Sequence, residues 1–332
     1  MNHAIELKGV RKTFGDKLAV ANLDLTIPAG GMYGFIGPNG AGKSTTIRII
    51  MGILFPDEGS VRVLGRNNAV EARERVGYLP EERGVYRKMK VGAFLRFIGR
   101  LKGMKGRELE HAIHGWLERV GLAETLNKKC EELSKGMQQK VQFIAAVINR
   151  PELLILDEPF SGLDPVNMRL LRDLIYEQHA QGRTVIFSTH VMEQAEQLCE
   201  HIVMINRGNK VLDDTLASIR AQHDPRTIVF EPFDPNADLS VLSQIPGVRH
   251  VSQPQAGTLR EITIQDDADP AAVMRALAGG AVVPSRLELR RPSLEDVFIE
   301  LVSGRGDETS SEQVERLRAA VRANGSEKEM GA

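Results

Sequence analysis

Apolar and polar residues alternate over residues 4 to 30 in the manner of an antiparallel hairpin. The run is Ala4-Ile-Glu-Leu-Lys8, a polar turn at Gly15-Asp16-Lys17, and then Leu18 to Ile27. Pro28-Ala-Gly-Gly31 turns the chain into Met32-Tyr-Gly-Phe-Ile36, an all-apolar run that reads as a buried strand. Between about 90 and 150 the period lengthens. Phe94, Leu95, Ile98 and Leu101 recur at helical spacing, as do Ile113, Leu117 and Val120. Two short apolar strands, Leu153–Leu156 and Thr184–Ser188, flank a helical segment from Met168 to His179. That alternation predicts parallel strands joined by helical crossovers. A further strand, His201 to Ile205, leads through Arg207-Gly-Asn-Lys210 to a final short strand.

Asp224-Pro225 breaks the helix before it and places a boundary near Gln222 to Arg226. Beyond it, Thr227–Phe230 and Glu261–Ile264 read as strands and Ala271 to Leu277 as a helix, a small α+β domain. After Gly304 the chain turns polar, ends in Glu327-Lys-Glu-Met-Gly-Ala332, and reads as disordered. Within that tail Val314, Leu317 and Val321 would line one stripe of a short helix. The expected organisation is therefore an α/β domain over residues 1–222 with a helical subdomain at about 90–150. An accessory domain at 227–303 and a tail at 304–332 follow.

Composition narrows the function classes. The chain has 332 residues, 42% apolar and 26% charged, as in an ordinary globular protein. Its formal net charge of -1 gives no general attraction to nucleic acid. Cys130 and Cys199 form no metal-ligand pattern and read as buried thiols in a reducing cytosol. No stretch approaches the roughly 20 apolar residues that cross a bilayer. The start, Met1-Asn-His-Ala-Ile-Glu, lacks the basic and apolar regions of a signal peptide. The expectation is a cytoplasmic protein whose membrane role, if any, comes through a partner.

The chemistry begins at Gly37, Pro38, Asn39, Gly40, Ala41, Gly42, Lys43, Ser44 and Thr45. The run satisfies G-x-x-x-x-G-K-[ST] and stands between an apolar strand and the helical run Thr46-Ile-Arg-Ile-Ile-Met51. Glycines let successive N–H groups point inward at phosphate oxygens, and the helix adds its positive N-terminus. Lys43 would reach the β- and γ-phosphates and the Ser44 hydroxyl would ligate Mg²⁺. Such a loop binds a nucleoside triphosphate.

Asp157 and Glu158 directly follow the strand Leu153–Leu156, where ligands of parallel sheets sit. Asp157 would hold the Mg²⁺ shell and Glu158 would act as general base on the attacking water. A third strand ends in Ser188-Thr-His190, and His190 would contact the γ-phosphate and the water. In Leu133-Ser-Lys-Gly-Met-Gln-Gln-Lys140, Ser134 would cap a helix whose positive end faces an anion.

Together these segments resemble the ATP-binding subunit of an ABC transporter. Gly37–Thr45 matches the family's Walker A, and Leu153–Glu158 its Walker B. Leu133-Ser-Lys-Gly-Met137 is similar to its signature motif, Ser161-Gly-Leu-Asp164 to its D-loop, and His190 to its switch histidine. Phe14 stands where the family places the aromatic that stacks on adenine. The six motifs span about residues 4 to 222. The resemblance implies an α/β P-loop NTPase fold of ABC type: a mixed sheet, an antiparallel β subdomain and a helical subdomain, then the small α+β domain. It implies an ATPase with ATP and Mg²⁺, membrane-spanning permease subunits as partners, and a second ATP-binding subunit as homodimer or heterodimer partner. Ser134, Gly136 and Asp164 would then serve the nucleotide of the other subunit, and the protein would sit on the inner face of the cell membrane through its partner.

The chain departs from the pattern at three places. Lys135 and Met137 replace the usual signature glycine and glutamine, while Ser134 and Gly136 are kept. Glu81 replaces the Q-loop glutamine; its carboxylate could still meet Mg²⁺ or its water, as Ser44 and Asp157 would, but it adds charge near the site. Tyr78-Leu-Pro-Glu-Glu-Arg-Gly-Val-Tyr86 resembles a prokaryotic exporter subgroup that includes sodium and drug efflux ATPases, many of which carry a similar C-terminal extension. The alternative reading is a soluble ABC-type ATPase acting on ribosomes or nucleic acid. A single phosphate loop, the absence of a heptad run and near-neutral charge weigh against it.

Overall fold

The structure, a computed structural model, describes residues 3–67, 70–82, 84–222, 226–252 and 258–303. Strands β1 (His3–Phe14) and β2 (Lys17–Pro28) pair antiparallel, as the alternation predicts. β3 (Met32–Ile36) is buried along its whole length and feeds the phosphate loop and α1 (Lys43–Ile50). β4 (Glu58–Val63) then adds to β1, giving a three-stranded sheet of order β2-β1-β4. Its sequence, Glu-Gly-Ser-Val-Arg-Val, is too polar to read as a strand.

β5 (Val76–Leu79) opens a second sheet. Helices α2 (Val91–Leu101), α3 (Gly106–Arg119) and α4 (Lys135–Val147) fill the predicted helical region. Then come β6 (Leu153–Asp157), α5 (Pro165–Ala180), β7 (Thr184–Thr189), α6 (Met192–Leu198), β8 (His201–Asn206) and β9 (Asn209–Thr215). The six-stranded order is β5-β6-β7-β3-β8-β9, parallel throughout except for β9. Among the described residues no helix is long and apolar enough to cross a membrane.

Helix α1 lies between the two sheets. Its Ile47, Ile49 and Ile50 share one core with Ile5, Leu7 and Val63 of the small sheet and Ile155, Ile186 and Val203 of the large one. Burying apolar side chains on both sides fixes the start of α1, and so the loop before it. Register does the rest. Ile36 pairs with Thr189 and Asp157 with Ser188, so the phosphate loop, the acidic pair and His190 all leave the sheet at one end.

Chain contacts divide the protein into a unit over Met1–Leu216 and a second over Ala217–Arg305. The division falls earlier than the expected boundary, so α7 (Leu216–Gln222) goes largely with the second unit. Residues 223–225, where the break was expected, lie outside the described residues. The second unit contains β10 (Thr227–Pro232), β11 (Val248–Val251), β12 (Arg260–Ile264), α8 (Pro270–Ala278), β13 (Pro284–Arg290) and α9 (Leu294–Ser303). Its sheet, order β11-β12-β10-β13, is antiparallel, and Ile228, Phe230, Ile262 and Ile264 pack with Val273 and Leu277 of α8. The tail at 304–332, with Val314, Leu317 and Val321, lies outside the described residues.

Candidate functional site

The helix after the loop begins at Lys43, earlier than its apolar run at Thr46 indicates. Gly42 caps it at φ 110, and an added Cβ there would sit 2.4 Å from the Ala19 carbonyl oxygen. At Gly37, φ 150, a Cβ would meet the Ile205 carbonyl oxygen at 2.1 Å. Close backbone approach thus requires glycine at both ends of the turn. Lys43 is 6% exposed, and its ammonium donates to the carbonyls of Gly37 at 2.7 Å and Pro38 at 3.2 Å.

Above the loop is a cavity of about 420 Å³. Phe14, Asn39, Gly40, Ala41, Gly42, Lys43, Ser44, Thr45, Glu81 and Glu158 line it, all expected at the site from the sequence. Gly37 and Pro38 stand behind it as the acceptors of Lys43. Lys17 and Ala19 also line it and escaped the sequence reading. They come from the hairpin, which only tertiary packing brings to the loop. Phe14 is 49% exposed, with the Lys12 ammonium 5.7 Å from its ring centre.

Asp157 and Glu158 are 2% and 7% exposed. Glu158 takes φ 48, in the left-handed region that non-glycine residues rarely occupy, and its N–H donates to the Ser188 carbonyl at 2.9 Å. Its Oε1 accepts from the His190 backbone N–H at 2.9 Å and lies 2.6 Å from His190 Nδ1. The Thr189 hydroxyl is 3.3 Å from Oε2. That hydroxyl belongs to the segment read for His190 but was not singled out. A carboxylate partner places the proton on Nδ1 and leaves Nε2 as the other polar atom of the ring.

Asp157 Oδ1 is buried without a hydrogen-bond partner. Burial pushes its carboxyl up; the Ser188 hydroxyl opposes this, the charges of Glu158 and Glu81 reinforce it, and the Ser44 hydroxyl opposes it again. Tyr78 is pushed up to about 12, by burial first and then by the Asp157 charge. Among the described residues no three His, Cys, Asp or Glu side chains converge on one metal position. A cation here would complete its shell with phosphate oxygens and water.

The signature and D-loop residues stand apart from this cavity. Ser134 caps α4 as expected, its Oγ accepting from the Met137 N–H at 3.3 Å. A Cβ on Gly136 would lie 3.3 Å from Asn167 Nδ2. Asp164 caps α5, accepting from the N–H groups of Val166 and Asn167 at 3.0 Å, and those of Asn167 hold its carboxyl below the usual range. None of Ser134, Gly136 and Asp164 lines the cavity. Cys130 and Cys199 are buried and free.

A second surface lies beside Glu81. Gln142 of α4 donates to the Glu82 carbonyl at 3.3 Å, tying this segment to the helical region. Tyr86, 54% exposed, stands edge-on to Phe94 and Phe97 of α2 at 6.1 and 5.8 Å. Phe97 and Leu101 of α2 are exposed. No Asp or Glu occurs between Glu82 and Glu108. Arg96 is paired with Glu110, and Lys102 donates to the carbonyls of Arg73 and Val76. Arg87, Lys88, Lys90, Arg100, Lys105 and Arg107 are exposed.

Comparison with known proteins places this geometry in a family. The profile described as ABC transporter matches residues 20–161. That described as ATP-binding protein DrrA1-3-like, C-terminal domain, matches residues 215–302. The ABC transporter ATP-binding protein YhaQ of Bacillus subtilis is 44% identical over 293 residues, covering 88% of this chain and 96% of the relative. The Nod factor export ATP-binding protein I of Rhizobium sp. strain N33 is 36% identical over 301 residues, covering 90% and 96%. A solved structure of an ATP-binding subunit of an ABC transporter superposes with a TM-score of 0.62 at 31% identity, covering 66% of this chain and 92% of that one. The chain belongs to the ATP-binding subunits of ABC transporters, and it is an ATPase of their P-loop fold.

Proposed function

We propose that this ATPase powers export through separate membrane-spanning subunits, each ATP being held between two ATP-binding subunits. The observation that carries the catalytic part is the contact of Glu158 with His190, 2.6 Å apart at the sheet end that also presents the phosphate loop. The N–H groups from Asn39 to Thr45 cradle the phosphates, and Phe14 stacks on the adenine. Lys43 leaves the Gly37 and Pro38 carbonyls for the β- and γ-phosphates. Glu158 takes the proton of the attacking water, and His190, oriented through Nδ1, contacts the γ-phosphate.

Ser44 and Asp157 would hold Mg²⁺, with Glu81 beside them. The unpartnered, buried Asp157 Oδ1 and the all-oxygen donor set fit that ion. Bound there, it would neutralise charge on the phosphates. Ser134, Gly136 and Asp164, away from the cavity of their own chain, complete the site of a second subunit, whether the same chain or a related one.

Export is supported by the relative named for Nod factor export. Docking to a membrane subunit is supported by the exposed Tyr86, Phe97 and Leu101 and by the exposed basic residues of the same segment, Arg87, Lys88, Lys90 and Arg100, which suit an amphipathic acidic segment. The protein would then sit at the inner membrane face through that partner. The test is co-purification: a membrane-spanning protein should accompany the chain, and ATPase activity of the complex should vanish with Glu158→Gln. Co-purification with ribosomes or nucleic acid in place of a membrane protein would overturn the transport reading.

A further inference from the structure

We propose that Glu81 makes nucleotide binding by this chain depend on a divalent cation, repelling metal-free ATP and admitting cation-bound ATP. This rests on the reading that Gly37–Thr45 holds the triphosphate. Glu81 and Glu158 line the same cavity as Lys43 and Lys17. Asp157, 2% exposed, lies within the influence of both acids, and its Oδ1 has no partner. Two carboxylates and two lysines thus line the cavity, with the buried Asp157 outside the lining, and Lys43 is held by the Gly37 and Pro38 carbonyls.

The field of Glu81 reaches past the cavity wall. Its charge contributes to the upward push on Asp157, where Glu82 has no part, and acts together with Glu82 on the Tyr78 hydroxyl. Free ATP is a polyanion and would enter against that field; a bound divalent cation removes part of the charge and gives the carboxylate an attractive target. A neutral glutamine of the same shape would discriminate less between the two forms. Glu82 is the natural contrast. Its side chain is 88% exposed, lies 3.7 Å from Arg48 and does not line the cavity.

The experiment is equilibrium binding of ATP to the full chain, in EDTA and in Mg²⁺, without turnover as a readout. Glu81→Gln should tighten binding in EDTA on the order of tenfold, the size expected for one charge near a triphosphate in a partly hydrated cleft. Binding in Mg²⁺ should stay level or weaken, so the ratio between the two conditions falls. Retained binding in Mg²⁺ also reports that the variant is folded. Glu81→Asp keeps the charge and should keep the wild-type ratio, as should Glu82→Gln. A Glu81→Gln ratio equal to that of wild type, or an equal fall for Glu82→Gln, would overturn the proposal. Absence of ATP binding to the wild type in both conditions would remove the triphosphate site itself, a result distinct from a failure of Glu81.

Discussion

Glu158 Oε1 and His190 Nδ1 lie 2.6 Å apart, and the same oxygen accepts the His190 backbone N–H at 2.9 Å. One carboxylate thus fixes the histidine by main chain and ring together, in surroundings where both side chains are less than a tenth exposed. Glu158→Gln is expected to lower ATP turnover on the order of a hundredfold or more, the usual scale for loss of a general base. Binding of ATP should persist, because the loop is untouched. His190→Ala should lower turnover with binding likewise retained. Single-turnover hydrolysis beside equilibrium binding separates the two effects.

Gly42 and Gly40 predict opposite sensitivities in one loop. A Cβ at Gly42 meets the Ala19 carbonyl at 2.4 Å, whereas one at Gly40 meets nothing within 4 Å. Gly42→Ala should abolish ATP binding and destabilise the protein by about 1–3 kcal/mol, through clash and strained backbone. Gly40→Ala also faces a positive φ but no clash, so its cost should be nearer ~1 kcal/mol. Thermal unfolding of the two variants checks the order.

Alkaline pH should find a weak point at Tyr78. Its hydroxyl is pushed from the usual 10.0 up to about 12, so the folded state holds the proton more tightly than the unfolded chain does. The contribution is intact below pH 10 and is lost as pH rises toward about 12. Tyr78→Phe should flatten the fall of melting temperature across that window. A profile unchanged by the substitution would show that another group carries the alkaline transition.

Reversing the charges of Arg87, Lys88 and Lys90 tests the docking face. Association with the membrane subunit should weaken on the order of tenfold and lose much of its salt dependence. ATP binding by the isolated chain should not change, since none of the three lines the cavity. Equal salt dependence before and after reversal would remove the electrostatic part of the account.

Legibility in the sequence followed burial. β3, β6 and β7 are buried at every position, so the apolar runs Met32–Ile36, Leu153–Leu156 and Val185–Phe187 announce them. β4 and β13 lie at sheet edges with mostly exposed or half-exposed residues, and Arg286, Glu288 and Arg290 of β13 interrupt any apolar run. The phosphate loop was legible because its chemistry is contiguous. Asp157 and His190 were legible because a strand end in a parallel sheet is a known place for ligands. Lys17 was not, since the approach of the hairpin to the loop depends on the shared core around α1 rather than on local pattern. The helical spacing of Leu101 was legible and its exposure was not, because apolar spacing marks a helix face without saying what covers it.

Mixing two disabled variants tests most directly the proposal that the site within one chain is incomplete. Glu158→Gln loses the base and keeps Ser134 and Gly136; Gly136→Asp keeps the base and spoils the surface offered to the other subunit. Each alone should be nearly inactive. Mixed under conditions in which the chain pairs with itself, they form dimers with one intact site and should regain roughly a quarter of the wild-type rate if pairing is random. Gly136→Asp fully active by itself, with rate strictly proportional to protein at low concentration, would contradict the account and make the single chain a self-sufficient ATPase.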